Sequence, residues 1–451
     1  MRHNIYKHKI AGVVITVAAI LGAQSVTAQK KMELTMEQAI QLSLQSNKQL
    51  KVSQAKVDEA KASLHQAQDN QLPDVKVSGS YLRINNPTID LKFKTGSSSS
   101  DTGKTSSSSV PKVNELAYGM VNASLPLFSG LRIHYGIEAA KYLAQAAKLD
   151  AENQREEVIV NTINAYSNLY KARKAVELVQ EDLKQSQQRV TDFTNMEQNG
   201  LIARNDLLKA QLGSSNIELS LLDAQNNLRI TYINMDLMLG LEEGTELVAD
   251  SNSFTMQNDA GNLIDWETNA LQNRKDLGAI GLRTKAYTAN IKSVKGEYYP
   301  GVALSGGYVA LYVPNFITVT NALNGGIGLQ YNLGSLWKTG AKVAQARAEL
   351  REVQANQGML TDQVRLGVNQ AYENYLLSQK KIDVYRKAVE QATENYRITK
   401  NKYDNSLETT TNLLDADVAQ LQAKLNYATA NADALVAYKK LQQAAGMLNN
   451  K

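Results

Sequence analysis

Catalysis at neutral pH needs histidines, thiols or converging carboxylates held within reach of one another. This chain offers almost none. Of its four histidines, His3 and His8 lie in the N-terminal leader described below, while His65 falls in a charged helical stretch and His134 just past a strand. There is no cysteine, so thiolate metal sites, Fe–S clusters, thiol nucleophiles and disulfides are excluded. The run Leu304-Ser305-Gly306-Gly307 sits inside an alternating stretch, and no phosphate-loop pattern follows it. The residues therefore point away from an enzyme and from any bound cofactor or metal. What remains is binding chemistry at two tight turns. Gly200-Leu201-Ile202 and Ser406-Leu407-Glu408 each place an apolar side chain beside a turn.

Composition narrows the class further. The chain has 451 residues, 43% hydrophobic and 21% charged, which excludes bulk disorder. A mean hydropathy of −0.35 excludes a polytopic helical membrane protein. Residues 1–28 read as a secretory signal peptide, with Arg2, Lys7 and Lys9 as the basic segment, Ile10 to Leu21 as the apolar one, and cleavage after about Ala28. Removing them takes three basic residues, so net charge falls from +5 to +2. That leaves no electrostatic case for binding nucleic acid. The protein is expected to be exported, and without cysteine it is not expected to be a lipoprotein.

The elements that must carry these turns are written twice. Asn164-Ala165-Tyr166-Ser167-Asn168 matches Gln370-Ala371-Tyr372-Glu373-Asn374 at an offset of 206, as Asn199-Gly200-Leu201 matches Asn405-Ser406-Leu407. Upstream, Leu72-Pro73-Asp74-Val75 and Ser78-Gly79-Ser80-Tyr81 match Tyr299-Pro300-Gly301-Val302 and Ser305-Gly306-Gly307-Tyr308 at an offset of 227. The extra length lies around the serine-rich tract from Gly96 to Val110. Two repeats follow, 32–240 and 262–447, joined by a polar connector at 241–261 that is expected to form an equatorial region.

Each repeat reads as helix, strand, strand, long helix, long helix. Alternation predicts strands at about 73–84 and 116–128, and again at about 300–312 and 324–334. All six prolines fall within 73–126 or 300–314, which leaves the two remaining stretches free to be helical throughout. There, Val158, Thr162, Ala165, Leu169, Ala172, Val176, Val179 and Leu183 form a heptad seam, repeated 206 residues later from Val364 to Val389. Coiled-coil hairpins are expected at about 132–239 and 338–446, with helices near 100 Å long at about 1.5 Å per residue. Four short strands cannot cross a bilayer alone, because sheet survives in lipid only as a closed barrel of about eight strands or more. The chain would have to share a barrel with copies of itself.

This doubled order resembles the TolC-type outer-membrane channel-tunnel family. Leu125-Pro126-Leu127-Phe128-Ser129-Gly130 closing a strand pair, the two tips, and Asn412-Leu413-Leu414-Asp415-Ala416 after the second tip carry the resemblance, which spans about 32–447. It implies an α+β membrane protein in which a homotrimer builds one twelve-stranded β-barrel in outer-membrane lipid of a Gram-negative cell, continued by a periplasmic α-helical tunnel. It implies the exit duct of a tripartite efflux pump or type I secretion system, docked to a periplasmic adaptor (membrane fusion) protein and an inner-membrane transporter.

The resemblance also assigns residues. An acidic ring at the periplasmic entrance would use Asp415, with Asn412 at the family's other acidic position and Asp206 and Lys209 at the matching places in the first copy. Glu408 stands where the family often has a basic residue of the closed latch. Gly200, Leu201, Ile202, Ser406, Leu407 and Glu408 would form the adaptor-docking tips. Tyr81, Tyr118, Tyr308, Tyr312 and Tyr331, at strand ends, suit an interfacial aromatic girdle. The competing reading is a periplasmic coiled-coil adaptor or structural protein without a pore.

Overall fold

The computed structural model describes residues 31–85, 113–250, 254, 260–314 and 316–448. The leader, the serine-rich tract, Pro87 and Pro111 lie outside them. In chain order the elements are β1 (Lys31–Leu34), α1 (Met36–Ser46), α2 (Lys48–Asp69), β2 (Asp74–Arg83), β3 (Glu115–Phe128), α3 (Arg132–Gln198) and α4 (Arg204–Leu239). There follow β4 (Glu246–Ala249), α5 (Leu263–Asn273), α6 (Lys275–Lys295), β5 (Gly301–Val313), β6 (Ile317–Gln330), α7 (Ser335–Asp404) and α8 (Thr410–Ala444). The fold is mostly helical with a small sheet. Among the described residues no helix is long and apolar enough to cross a membrane.

The chain divides into two compact units, and neither coincides with a sequence repeat: each draws on both copies. One comprises 52–152 and 275–363, the other 1–51, 153–274 and 364–451. The long helices α3 and α7 contribute to both.

The first unit holds an antiparallel sheet in the order β2-β3-β5-β6. Its register puts Val75, Val77 and Tyr81 opposite Ala123, Val121 and Ala117, then Tyr308 and Tyr312, then Leu323. Leu304, Ile327 and Leu329 continue this apolar face. The opposite face carries Lys76, Ser78, Asn122, Ser124, Ser305 and Asn324, as period-two alternation requires. The outer edges of β2 and β6 are unpaired among the described residues. The fourth strand differs from the sequence expectation of 324–334. It starts at Ile317 because Val313 pairs with Ile317 across a tight turn, and a bulge near Asn321 (φ +60°) absorbs the residues that break the alternation. It stops at Gln330 because Asn332 turns the chain, its side chain accepting from the Gly334 N–H at 3.0 Å and its carbonyl from the Ser335 N–H at 2.9 Å.

The second unit is built around a cluster that includes Leu34, Met36, Ile163, Tyr166, Leu169, Met235, Leu247 and Phe254. The short parallel pair β1–β4 was not foreseen from the sequence. Thr35 caps α1 in a capping box with Gln38. The doubled tyrosine motif has a structural role. The Tyr166 hydroxyl donates to the Leu34 carbonyl and accepts from the Asp250 N–H, both at 2.8 Å. The Tyr372 hydroxyl donates to the Gly261 carbonyl at 3.1 Å, so both tyrosines reach the connector. Seven of the eight first-seam residues are buried, whereas in the second seam only Val364, Val368 and Tyr375 are. The face of α4 bearing Leu208, Leu212, Leu219, Leu222, Ile230, Ile233 and Leu237 is also uncovered within the chain.

Candidate functional site at the hairpin tips

Both hairpins turn with the same backbone chemistry. Gly200 (φ +72°) donates to the Glu197 carbonyl and Leu201 to that of Met196, at 2.9 and 2.8 Å. Ser406 (φ +60°) and Leu407 donate to Tyr403 and Lys402 at the same two distances. This left-handed cap throws the following leucine outward. Leu201 is 70% and Leu407 76% exposed. Ile202 behaves differently: it packs against the cluster of Phe193, Leu207, Ala210 and Leu413 and is half-buried.

The polar residues around the tips are tied together locally. Thr409 caps α8 by accepting from the Asn412 N–H at 3.2 Å. The Asn412 side-chain amide donates to Glu408 at 2.6 Å and the Thr409 N–H donates at 3.1 Å, and these bonds hold the Glu408 carboxyl below its usual range. Glu408 is thus occupied within its own turn. In the first turn of α4, Asp206 lies 3.7 Å from Lys209, whose ammonium also donates to the Thr411 hydroxyl at 3.3 Å. That bond ties the two hairpins together. Asp415 is exposed on α8.

Behind the tips lies a charged cluster that the sequence reading missed. Arg189 of α3 pairs with Asp417 of α8 at 2.8 Å and donates to the Tyr396 hydroxyl of α7 at 3.3 Å. A cavity of about 610 Å³ opens beside it, lined by Arg189, Phe193, Tyr396, Lys400 and Tyr403 among others. The available signal was charge at seam spacing: Asp182 and Arg189, like Asp417 and Lys424, are seven residues apart.

The tyrosines of the sheet do not all share a face. Tyr81 and Tyr312 are both aligned with Ala117, and Tyr308 follows on the same apolar face. Tyr118 pairs with Ser80 and Leu311 on the opposite face, and Tyr331 lies just past the end of β6. His65 and His134 are exposed on α2 and α3.

The profile of the outer membrane efflux protein family matches residues 39–241 and 266–447, nearly all of the described chain. The chain belongs to that family. Solved structures of similar fold include the outer membrane protein VceC of Vibrio cholerae, at 18% identity and a TM-score of 0.73, covering 91% of this chain and 96% of that one. The outer membrane channel CmeC of Campylobacter jejuni aligns at 16% identity and a TM-score of 0.76, covering 95% and 91%. The open state of the MtrE outer membrane channel of Neisseria gonorrhoeae aligns at 16% and 0.70, covering 94% of each. No curated protein matches the sequence. As an outer membrane efflux protein, the chain belongs with channels rather than enzymes, and a poreless adaptor is not what the family supplies.

Proposed function

We propose that this outer membrane efflux protein is the exit duct of a tripartite efflux pump or type I secretion system, working as a homotrimer. The observation that carries the reading is the open sheet. The outer edges of β2 and β6 are unpaired among the described residues, and one face is apolar except at its far end, where Arg83 pairs with Glu115 and Thr318 faces Tyr312. Unpaired edge groups cost several kcal/mol each in hydrocarbon, so in a membrane β6 of one copy must pair with β2 of the next. Three copies of four strands close a twelve-stranded barrel with the apolar face toward lipid and the polar face toward the lumen. The uncovered face of α4 and the exposed part of the second seam on α7 would then find partners in neighbouring copies, as head-to-tail association around a ring requires.

At the periplasmic end, Leu201 and Leu407 are the knobs for a periplasmic adaptor, which links the duct to an inner-membrane transporter. Asp415 and Asp206 line the entrance with Asn412 and favour cations there. With Glu408 held by Asn412, closure rests on Lys209 and the Arg189 cluster instead of a basic residue at 408.

The absence of native cysteine makes the test clean. Single pairs such as Val77→Cys with Ile327→Cys or Leu323→Cys, on the same face of the two edge strands, should oxidise between copies into a covalent trimer. Monomers from every such pair would refute the shared barrel.

A further inference from the structure

We propose that the inner face of the sheet carries a binding site for ammonium-bearing amphiphiles. Asn122 and Asn324 would take the head, and Met120, Tyr118, Val309 and Leu311 the apolar body. The proposal rests on the reading of the sheet as one part of a shared membrane barrel and adds a ligand site inside it.

The face turned away from lipid is polar only near the helices. There Asp74, Ser124, Ser305 and Gly326 form one cross-strand row, and Lys76, Asn122, Gly307 and Asn324 form the next. The following row is Ser78, Met120, Val309 and Ala322, and after it come Ser80, Tyr118, Leu311 and Val319. Leu82 pairs with Leu116 beyond them. Polarity therefore switches between rows two residues apart, about 7 Å along the strand. The sequence of β5 shows the same switch. Polar and small residues interrupt Leu304-Ser305-Gly306-Gly307, whereas Tyr308-Val309-Ala310-Leu311-Tyr312-Val313 runs on as aromatic and aliphatic residues alone. Such a run marks a strand with apolar surroundings on both faces.

Neither lipid nor a neighbouring copy supplies those surroundings on the inner face. Lipid would lie across the sheet, against Val77, Val121 and Leu323, and copies would join in its plane through β2 and β6. Leu82 and Tyr118 stay exposed in the folded chain. Barrels of about eight strands are filled by side chains or hold one small ligand, and those of about sixteen leave an aqueous channel. The shared barrel falls between them, with room for a solute against its wall.

The adjoining row selects the head. A Cβ on Gly307 would lie 2.8 Å from Asn122 Oδ1 and 3.0 Å from Asn324 Oδ1, so two carboxamide oxygens lean over one bare patch of backbone. Both are hydrogen-bond acceptors. Lys76 of the same row is paired with Asp74 at 2.8 Å, so a cationic donor meets little net charge. An ammonium over Gly307 places an aromatic or alkyl body along Met120 and Tyr118.

Single channels in planar bilayers test the site, with tryptamine as probe and ethylamine as the same head without the body. Each is added to the chamber opposite the helices. Tryptamine should lower conductance reversibly, and ethylamine should need about tenfold more for the same effect. Tyr118→Ser, Leu311→Ser and the pair Asn122→Ala with Asn324→Ala are made separately, so that one poorly folding variant does not decide the matter. Each conducting variant should weaken the tryptamine effect by about fivefold or more. Leu323→Ala, on the lipid face, should leave it unchanged. Conducting channels that ignore tryptamine, respond equally to both amines or keep the block in all three variants would overturn the site and leave the duct standing. Folded oligomer inserted in lipid without any conductance would overturn both.

Discussion

Arg189 of α3 and Asp417 of α8 meet at 2.8 Å with only 10% and 4% of their side chains exposed, and Tyr396 of α7 holds the same guanidinium. One guanidinium thereby joins three helices behind the tips, by an ion pair to α8 and a hydrogen bond to α7. Removing one partner of a buried pair strands the other charge, at a cost of about 3 kcal/mol. Arg189→Met should therefore lower the denaturation midpoint of the protein markedly. Asp417 Oδ1 already lacks a hydrogen-bond partner. The double variant Arg189→Met with Asp417→Leu should recover most of the loss, and a double-mutant cycle measures the difference.

Acid should tighten the same region. Asp182 is pushed up to about 6, first by burial and then by the charge of Asp417, against relief from Arg189 and Lys424; Glu181 adds to the rise. The folded value lies above an unfolded value near 3.9, so the stability linked to a neutral Asp182 is complete below about pH 4 and lost as pH rises through about 6. The full shift corresponds to about 3 kcal/mol, which screening at this half-exposed site reduces to about 1 kcal/mol. Thermal melts at pH 5 and 7.5 should show the difference, and Asp182→Asn should abolish it by raising stability at the higher pH.

The crossing below the sheet tolerates no side chain. A Cβ on Gly130, where φ is +65°, would fall 2.2 Å from the Gly296 carbonyl oxygen, and one on Gly296 would fall 2.4 Å from that of Gly130. Either Gly→Ala change should cost several kcal/mol and abolish assembly of the proposed oligomer, read by size-exclusion chromatography in detergent. Gly136 and Gly281 lie inside α3 and α6 with open space around them, and alanine there should be neutral or stabilise by up to about 1 kcal/mol.

At the tips, backbone and side chain separate cleanly. Ser406 holds a φ of +60° that glycine adopts without strain, so Ser406→Gly should stabilise the second hairpin by about 1 kcal/mol. Leu201→Asp with Leu407→Asp should leave melting unchanged, because both side chains point into water. The pair should nonetheless abolish crosslinking to a co-expressed adaptor and reduce export. Unchanged crosslinking would move the docking surface elsewhere.

Much of this was readable in the residues because it depends on local periodicity. Proline placement and heptads led to α3, α4, α7 and α8, and alternation led to β2, β3 and β5. The parts that escaped are those set by distant partners. The β1–β4 pair is four residues a side, too short for a period to show, and exists because Tyr166 and the Leu34 cluster hold it. The start of β6 was hidden by the bulge at Asn321. At the candidate site, the exposure of Leu201 and Leu407 follows from turn chemistry, whereas nothing local says that Ile202 packs against the Phe193 cluster. The Arg189–Asp417 pair was missed because its members are 228 residues apart.

The central claim is a continuous aqueous path through the assembled protein, and single-channel recording in planar bilayers tests it most directly. Folded oligomer should insert with discrete, uniform conductance steps that favour cations, and Asp415→Ala should weaken that selectivity. Oligomer shown to be inserted in lipid yet passing no current under any applied potential or in the tip variants would contradict the account.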